Sequence, residues 1–437
     1  MNNFLRKIKF LGKDTEISIA KTKKYKIGII YGVFVGIIFG IIPIVTILNN
    51  TQIYESLRLS QQFVSVNAMN SIARGASISA FNDMWTFLLN GLLLLVLPGM
   101  AKNWKKVKDL IKTKAGFYTL LAGLFGGPLG NTFFFAVFVL LSPSIGSVFF
   151  VLEMVFSAGV GIIIFKRKIG KRVWYGLGLM TLLIVFMLVA QTIAVGGTNS
   201  NVIAGSILGT IAIACYTAEA LIVDRAVSIN KIKGINGLHF LQLKAISSTV
   251  FGILILIPLT SGIFGIMFQG VFPDVQNSAN IVDINVVNNV NNLGGISNIN
   301  AITGYLAFAK LFTVMSFPIA FVGSLLLFAG RISFYNAIEK TGATLTNTLF
   351  QIQVIVTPII GGILFGISQA LGVESIGGGD AIYVKISLEN QLWFQPLFWT
   401  LSILVLISAW FVSLNKIPIN RLKENTEFIK KTLVPKN

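Results

Sequence analysis

Ten apolar runs, most of them about 20 residues or longer, limit what this chain can fold into more than any other feature. They occupy roughly 27–48, 79–100, 115–141, 144–165, 173–194, 202–224, 241–263, 315–338, 343–367 and 392–413. At ~1.5 Å rise per residue, a helix of about 20 residues crosses ~30 Å of hydrocarbon. A backbone in lipid has to satisfy its own N–H and C=O groups, so such runs cross as helices. The expected fold class is an all-α membrane protein with about ten transmembrane helices. Composition agrees. The 437 residues are 54% hydrophobic and 12% charged, whereas soluble domains carry roughly 25% charged residues.

The formal net charge of +19 resembles a nucleic-acid signal until its distribution is followed. With the N-terminus inside, the inner segments are 1–26, 101–114, 166–172, 225–244, Lys340 and 414–437. They hold 30 of the 35 Lys and Arg residues. Arg58, Arg74, Lys310 and Lys385 fall on outer segments, and Arg331 falls inside a span. This asymmetry is the positive-inside pattern, and it predicts a multi-pass cell-membrane protein with both termini cytoplasmic. The basic excess then faces anionic membrane lipid, not nucleic acid. The cluster from Lys21 to Lys26 is a surface anchor ahead of the first span. No short apolar stretch with a cleavage site follows the basic tail, so the first run is expected to be a retained span.

Domain boundaries follow from these spans. Residues 1–26 and 414–437 are basic cytoplasmic tails; 27–194 form a first five-helix repeat and 202–413 a second. Outer connections are expected at 49–78, at 264–302, which is rich in Asn, Val and Ile, and at 368–391. The stretch 303–338 is too long for one span. Splitting it would put the basic C-terminal tail outside. One span from about 315 is therefore expected, preceded by an outer interfacial segment carrying Lys310 and kinked near Pro318.

An internal repeat supports that division. Shifting residues 127–161 by 200 positions sets Gly130 on Gly330, Phe134 on Phe334, Phe135 on Tyr335 and Ser144 on Thr344. The same shift sets Phe150 on Phe350, Ser157 on Thr357 and Gly161 on Gly361. Each copy is a helix, a very short turn and a second helix. The first copy starts inside and the second outside, so the halves are inverted. Inverted repeats are a common build of secondary transporters, with the substrate site near the midplane between them.

At this point the chain resembles the drug/metabolite transporter superfamily in its ten-helix, EamA-type form. The stretches Phe138–Ser144 and Tyr335–Ala343 are similar to that family's short turn between third and fourth helices. The second, with Thr341, Gly342 and Ala343, is the closer match, and Pro358 follows in the next helix. Phe39 and Gly40 stand where the family often has Trp-Gly. The glutamate that often follows the fourth span is missing from Phe165–Arg172, and the long outer loops also depart from the pattern. The resemblance implies a permease without enzymatic activity.

A charge at membrane depth is expensive, and three such residues stand out: Glu153, Glu219 and Arg331. Glu153 shares a helical face with Gly146 and Ser157; the shifted copy puts Thr346, Gln353 and Thr357 on the matching face. Two such stripes suggest a polar seam between the halves, with plain interhelical hydrogen bonding as the structural alternative. Arg331 and Glu219 lie at similar depths above the inner surface, so an ion pair between them could form a cytoplasmic gate. The alternatives are a static pair or snorkelling. Asn131, Asn347, Tyr216 and Tyr335 complete the candidate substrate contacts, with Asn90, Asn336 and Gln351 nearby in depth. Asp83 is expected near the outer surface and hydrated. Gly32, Gly36 and Gly40 give the first span one smooth face for close packing. Gly127-Pro128 can bend the third span.

Catalytic and cofactor signals are lacking. There is no phosphate-cradling P-loop. Cys215, the single cysteine, precludes an internal disulfide framework, and the single histidine, His239, argues against a metal site. The expected function is alternating-access transport of a small polar metabolite, such as an amino acid or an amine. A coupling proton and a homodimer are both admitted. The alternative is a non-transporting integral membrane scaffold or a membrane-embedded enzyme.

Overall fold

The computed structural model describes residues 15–59, 68–97, 99–141, 143–163, 171–194, 200–260, 308–314, 316–341, 343–370 and 396–413. The described regular elements are all helical. In chain order they are α1 (Thr15–Leu59), α2 (Ala68–Val96), α3 (Met100–Ile111), α4 (Lys114–Leu124), α5 (Gly130–Leu140), α6 (Pro143–Phe149) and α7 (Leu152–Ile163). They continue as α8 (Lys171–Ala194), α9 (Ser200–Ile229), α10 (Gly237–Phe251), α11 (Phe317–Thr341), α12 (Ala343–Phe350), α13 (Gln353–Ala370) and α14 (Pro396–Ser413). Two π-helical turns, Phe125–Leu129 and Gly252–Leu256, join α4 to α5 and extend α10.

Among the described residues, six stretches are long and apolar enough to cross a membrane: Lys26–Thr46, Ile72–Val96, Lys114–Phe138, Ile203–Ile229, Gly237–Leu256 and Phe317–Thr341. Shorter apolar helices cover Ser144–Ser157, Trp174–Met187, Gln353–Ile363 and Phe398–Ser408. Polarity is inverted relative to a soluble protein. On α2, Ser77, Ser79, Asn82, Asp83, Thr86 and Asn90 are buried, while Leu88, Leu92 and Leu95 face out. On α8, Leu177, Met180, Ile184 and Met187 turn inward; Leu179, Leu182, Phe186 and Val189 form the exposed stripe. Helical spacing with apolar residues on the outer face fits lipid as the solvent.

Contacts between residues fix how the helices run. Gly28 lies against Thr341, Gly330 against Phe39 and Gly323 against Val45, so α1 and α11 are antiparallel. Gly32, Gly36 and Gly40 meet Leu349, Ile352 and Val356, so α1 runs parallel to α12 and α13. The smooth glycine face is used for close packing: a Cβ on Gly36 would lie 2.7 Å from the Leu349 carbonyl oxygen. Thr357 Oγ1 donates to the Gly40 carbonyl at 2.9 Å. On the other side of the bundle, Gly205 meets Leu141 and Gly130 meets Tyr216, so α9 runs antiparallel to α5. Helices α8 and α14 pack together at the periphery.

Helix boundaries depart from the apolar runs. Most of the stretch 49–78 lies between two candidate spans, and it is helical at both ends: α1 reaches Leu59 and α2 begins at Ala68. Small residues explain this. Ala73, Gly75, Ala76 and Ser77 let α2 pack against α5, with a Gly75 Cβ only 2.4 Å from the Thr132 carbonyl oxygen. The inner segment 101–114 contains the short amphipathic helix α3. Its Lys102, Lys105 and Lys108 are exposed, and Val107 and Leu110 are buried. Gly99, at φ 84°, provides the left-handed corner between α2 and α3. The span expected from about 315 starts at Phe317. Pro318 lies in its first turn, where a missing N–H is harmless, rather than at a kink. The outer segment 264–302, most of 368–391, the N-terminal tail up to residue 14 and the C-terminal tail lie outside the described residues.

Candidate functional site

Two buried polar regions lie within the bundle. The first forms where two interrupted helices meet. Helix α6 stops at Phe149 and α7 resumes at Leu152; α12 stops at Phe350 and α13 resumes at Gln353. The two interruptions fall at the 200-residue offset to within a residue. Helix α6 packs against α13, and α7 against α12.

Glu153 occupies the first turn of α7, and its own N–H donates across the break to the Phe150 carbonyl at 3.1 Å. The Asn347 side-chain amide donates to Glu153 Oε1 at 2.9 Å. Gln351 in turn donates to the Asn347 backbone carbonyl at 3.0 Å. Asn347 Oδ1, Gln351 Oε1 and both polar atoms of the Gln353 amide are buried with no hydrogen-bond partner among the described residues. Leaving such a group unsatisfied costs about 1–3 kcal/mol. Nearby, Tyr216 donates to Asn131 Oδ1 at 2.6 Å, and Asn131 Nδ2 is unpartnered. Aromatic rings flank both interruptions. Phe150 lies 6.2 Å from Tyr216 and 4.6 Å from Phe134, and Phe350 lies 4.9 Å from Phe39, centroid to centroid.

The second region is a set of four charges. Arg331 forms an ion pair with Asp83 at 2.5 Å, and its Nη1 donates to Thr86 Oγ1 at 2.8 Å. Lys244 pairs with Glu219. Tyr335 donates to the same Glu219 oxygen at 3.5 Å, and the Lys244 ammonium stands 5.7 Å from the centre of the Tyr335 ring. Helices α2, α9, α10 and α11 are thus tied together. The π turn makes room for them. A Cβ on Gly126 would lie 1.5 Å from Glu219 Oε2, and one on Gly127 3.0 Å from Asp83 Oδ2. Gly127 leaves helical geometry (φ −89°, ψ −105°) just ahead of Pro128, so the third span does bend there.

The expected Glu219–Arg331 ion pair is not formed; each residue has a different partner. Asp83 is not hydrated at the outer surface; its side chain is 0% exposed. The cause is the earlier start of α2. Asp83 lies fifteen residues from Ala68, ~22 Å along the helix instead of the ~6 Å implied by a start at 79. Lys244, counted with an inner loop, is buried because α10 begins at Gly237, its first turn held by a capping box between Asn236 and His239. The missed signal was present in the sequence. Ser79, Asn82, Thr86 and Asn90 recur at helical spacing, and all four are bonded: Ser79 to the Gly127 carbonyl, Asn82 to Ser324, Thr86 to Arg331, and Asn90 to Gln242 and the Leu238 carbonyl.

The model of the EamA-like transporter family matches residues 68–189, from α2 through α8. A search of curated proteins gave no match. That family is one of transporters, which implies a small-molecule substrate. Residues 68–189 are therefore an EamA-like transporter domain within a multi-pass membrane protein.

Proposed function

We propose that the protein carries a small polar metabolite across the cell membrane by alternating access between two inverted five-helix halves, with both termini cytoplasmic. The observation that carries this is the Asn347–Glu153 contact, which joins the two interrupted helices. Interrupted helices that meet at the midplane are a recurrent way to build a transporter site.

Paired contacts support the internal symmetry. Gly130 lies against Tyr216 of α9, and its shifted counterpart Gly330 lies against Phe39 of α1. Phe150 neighbours Tyr216 as Phe350 neighbours Phe39. The first helix of each half therefore packs on the third span of the other. The antiparallel and parallel contacts of α1, α11, α12 and α13 also follow the alternation expected for successive spans. Glu153, Asn131, Asn347, Gln353 and Tyr216 form the substrate path. Glu219 and Arg331, through Lys244 and Asp83 rather than with each other, close the cytoplasmic side with Tyr335. Opening to the inside requires at least one of those pairs to separate.

Solute counterflow in proteoliposomes containing the purified protein tests the assignment. Glu153→Gln is expected to lower the rate while the protein remains folded. Unchanged rates would remove Glu153 from the mechanism.

A further inference from the structure

We infer that the solute is a monocationic organic amine, bound through a primary ammonium group at Glu153. This rests on the transport function proposed above and gives that site its substrate class.

Charge pairing is the first ground. Asp83 with Arg331 and Glu219 with Lys244 neutralise each other two by two. Arg74, in the second turn of α2, has contacts of its own. Glu153 differs: its partner is the neutral amide of Asn347, and among the described residues no basic side chain is in ion-pair contact with it. A buried carboxylate without a counter-charge is expensive in a protein interior and at membrane depth. A cation completes it. A second charge on the solute would have no partner in turn. Arg331, the group that could have received a carboxylate, is engaged by Asp83 and Thr86. A zwitterionic amino acid is thereby disfavoured.

Hydrogen-bonding capacity is the second ground. Three unpartnered oxygens, those of Asn347, Gln351 and Gln353, lie on the α12–α13 side of the Glu153 contact, against two unpartnered donors, Gln353 Nε2 and Asn131 Nδ2. An alkylammonium presents three N–H donors and no acceptor. A quaternary ammonium presents none and would leave those oxygens unsatisfied. The ring-bearing residues at both interruptions favour an organic cation over a hydrated inorganic one, because ring faces attract positive charge.

The test is competition and uptake in proteoliposomes with the intact chain. The probes are ethanolamine, tyramine and putrescine, against choline, glycine and glycerol. The expected result is that ethanolamine and tyramine are taken up and compete with each other. Choline and glycine should compete at least roughly tenfold less well, the difference made by hydrogen bonds to charged groups. Putrescine, a dication, should be the weaker of the amines. Glu153→Gln should reduce amine uptake roughly tenfold or more, and Glu153→Asp should restore part of it. Melting of the purified protein without solute controls for misfolding of the variants, and wild-type competition does not depend on them. If glycerol or glycine is moved and no amine competes, the amine assignment is overturned while transport stands. The same holds if Glu153 proves necessary only for coupling a neutral solute to a proton or sodium gradient. If none of the probes binds or moves, the amine assignment falls. If a broad metabolite library is also inert, the transport function falls with it.

Discussion

The two polar regions differ in one respect that governs their roles. The four-charge set on α2, α9, α10 and α11 is internally balanced, two acids against two bases, with Thr86 and Tyr335 adding hydrogen bonds. The crossing of α6–α7 with α12–α13 holds one carboxylate and a group of unpartnered amide atoms. Charges paired two by two hold helices in one arrangement. A carboxylate that meets a neutral amide, with no basic partner among the described residues, keeps a charge for a ligand to meet. Natural proteins concentrate such local inconsistencies at functional sites.

This contrast can be broken experimentally. The largest effect is expected from Arg331→Leu, which strands the Asp83 carboxylate. Losing one member of a buried pair costs about 3–5 kcal/mol, so the melting temperature in detergent should fall steeply. Adding Asp83→Leu should recover most of it, since replacing both members of a buried pair by apolar groups is often neutral. If the single variant melts like the wild type, the balanced region is not what holds those four helices together. Next comes Gly126→Ala, which drives a methyl group into the space of the Glu219 carboxylate and should destabilise by about 1–3 kcal/mol. A smaller loss, about 1.5 kcal/mol, is expected for Thr86→Val, which removes one hydrogen bond to the Arg331 guanidinium. The smallest change in stability belongs to Glu153→Gln, within about 0.5 kcal/mol of wild type or slightly stabilising, because it removes an uncompensated charge. A melting temperature that fell as far as for Arg331→Leu would place Glu153 in the structural class and erase the difference between the regions.

The pseudo-equivalent positions sharpen the same point. Glu153 corresponds to Gln353, and Asn131 to Arg331. In each pair one position carries a charge and the other an amide. The two charged members do not meet: Arg331 is held by Asp83, and Glu153 is contacted by Asn347. Positions 200 residues apart thus stand in two unlike environments.

Much of the scaffold was legible in advance. Apolar run length gave the helical class; the breaks near 150 and 350 were not foreseen, since both lie inside apolar runs read as unbroken spans. The choice of one span from about 315 agrees with α11, and the glycine series of α1 was recognisable as a packing face. Polar site residues were less accessible. Asp83 and Lys244 were placed outside the apolar interior because hydropathy defined the spans, whereas α2 and α10 begin in polar sequence that is buried by packing. A polar stripe from Ser79 to Asn90 was visible as a period, but a period does not say what lies opposite.

The sequence by itself determined the helical class and that several helices are long and apolar enough to cross a membrane. Rise per residue is fixed by backbone hydrogen bonding, so distance along a helix can be counted once its start is known. Tertiary structure decided where each helix actually starts, which helices are neighbours and which side chains meet. Partnering of Arg331 with Asp83, and of Glu219 with Lys244, depends on close approach at Gly126 and Gly127 and on the bend between them. Those are contacts between helices distant in the chain, and no local pattern encodes them.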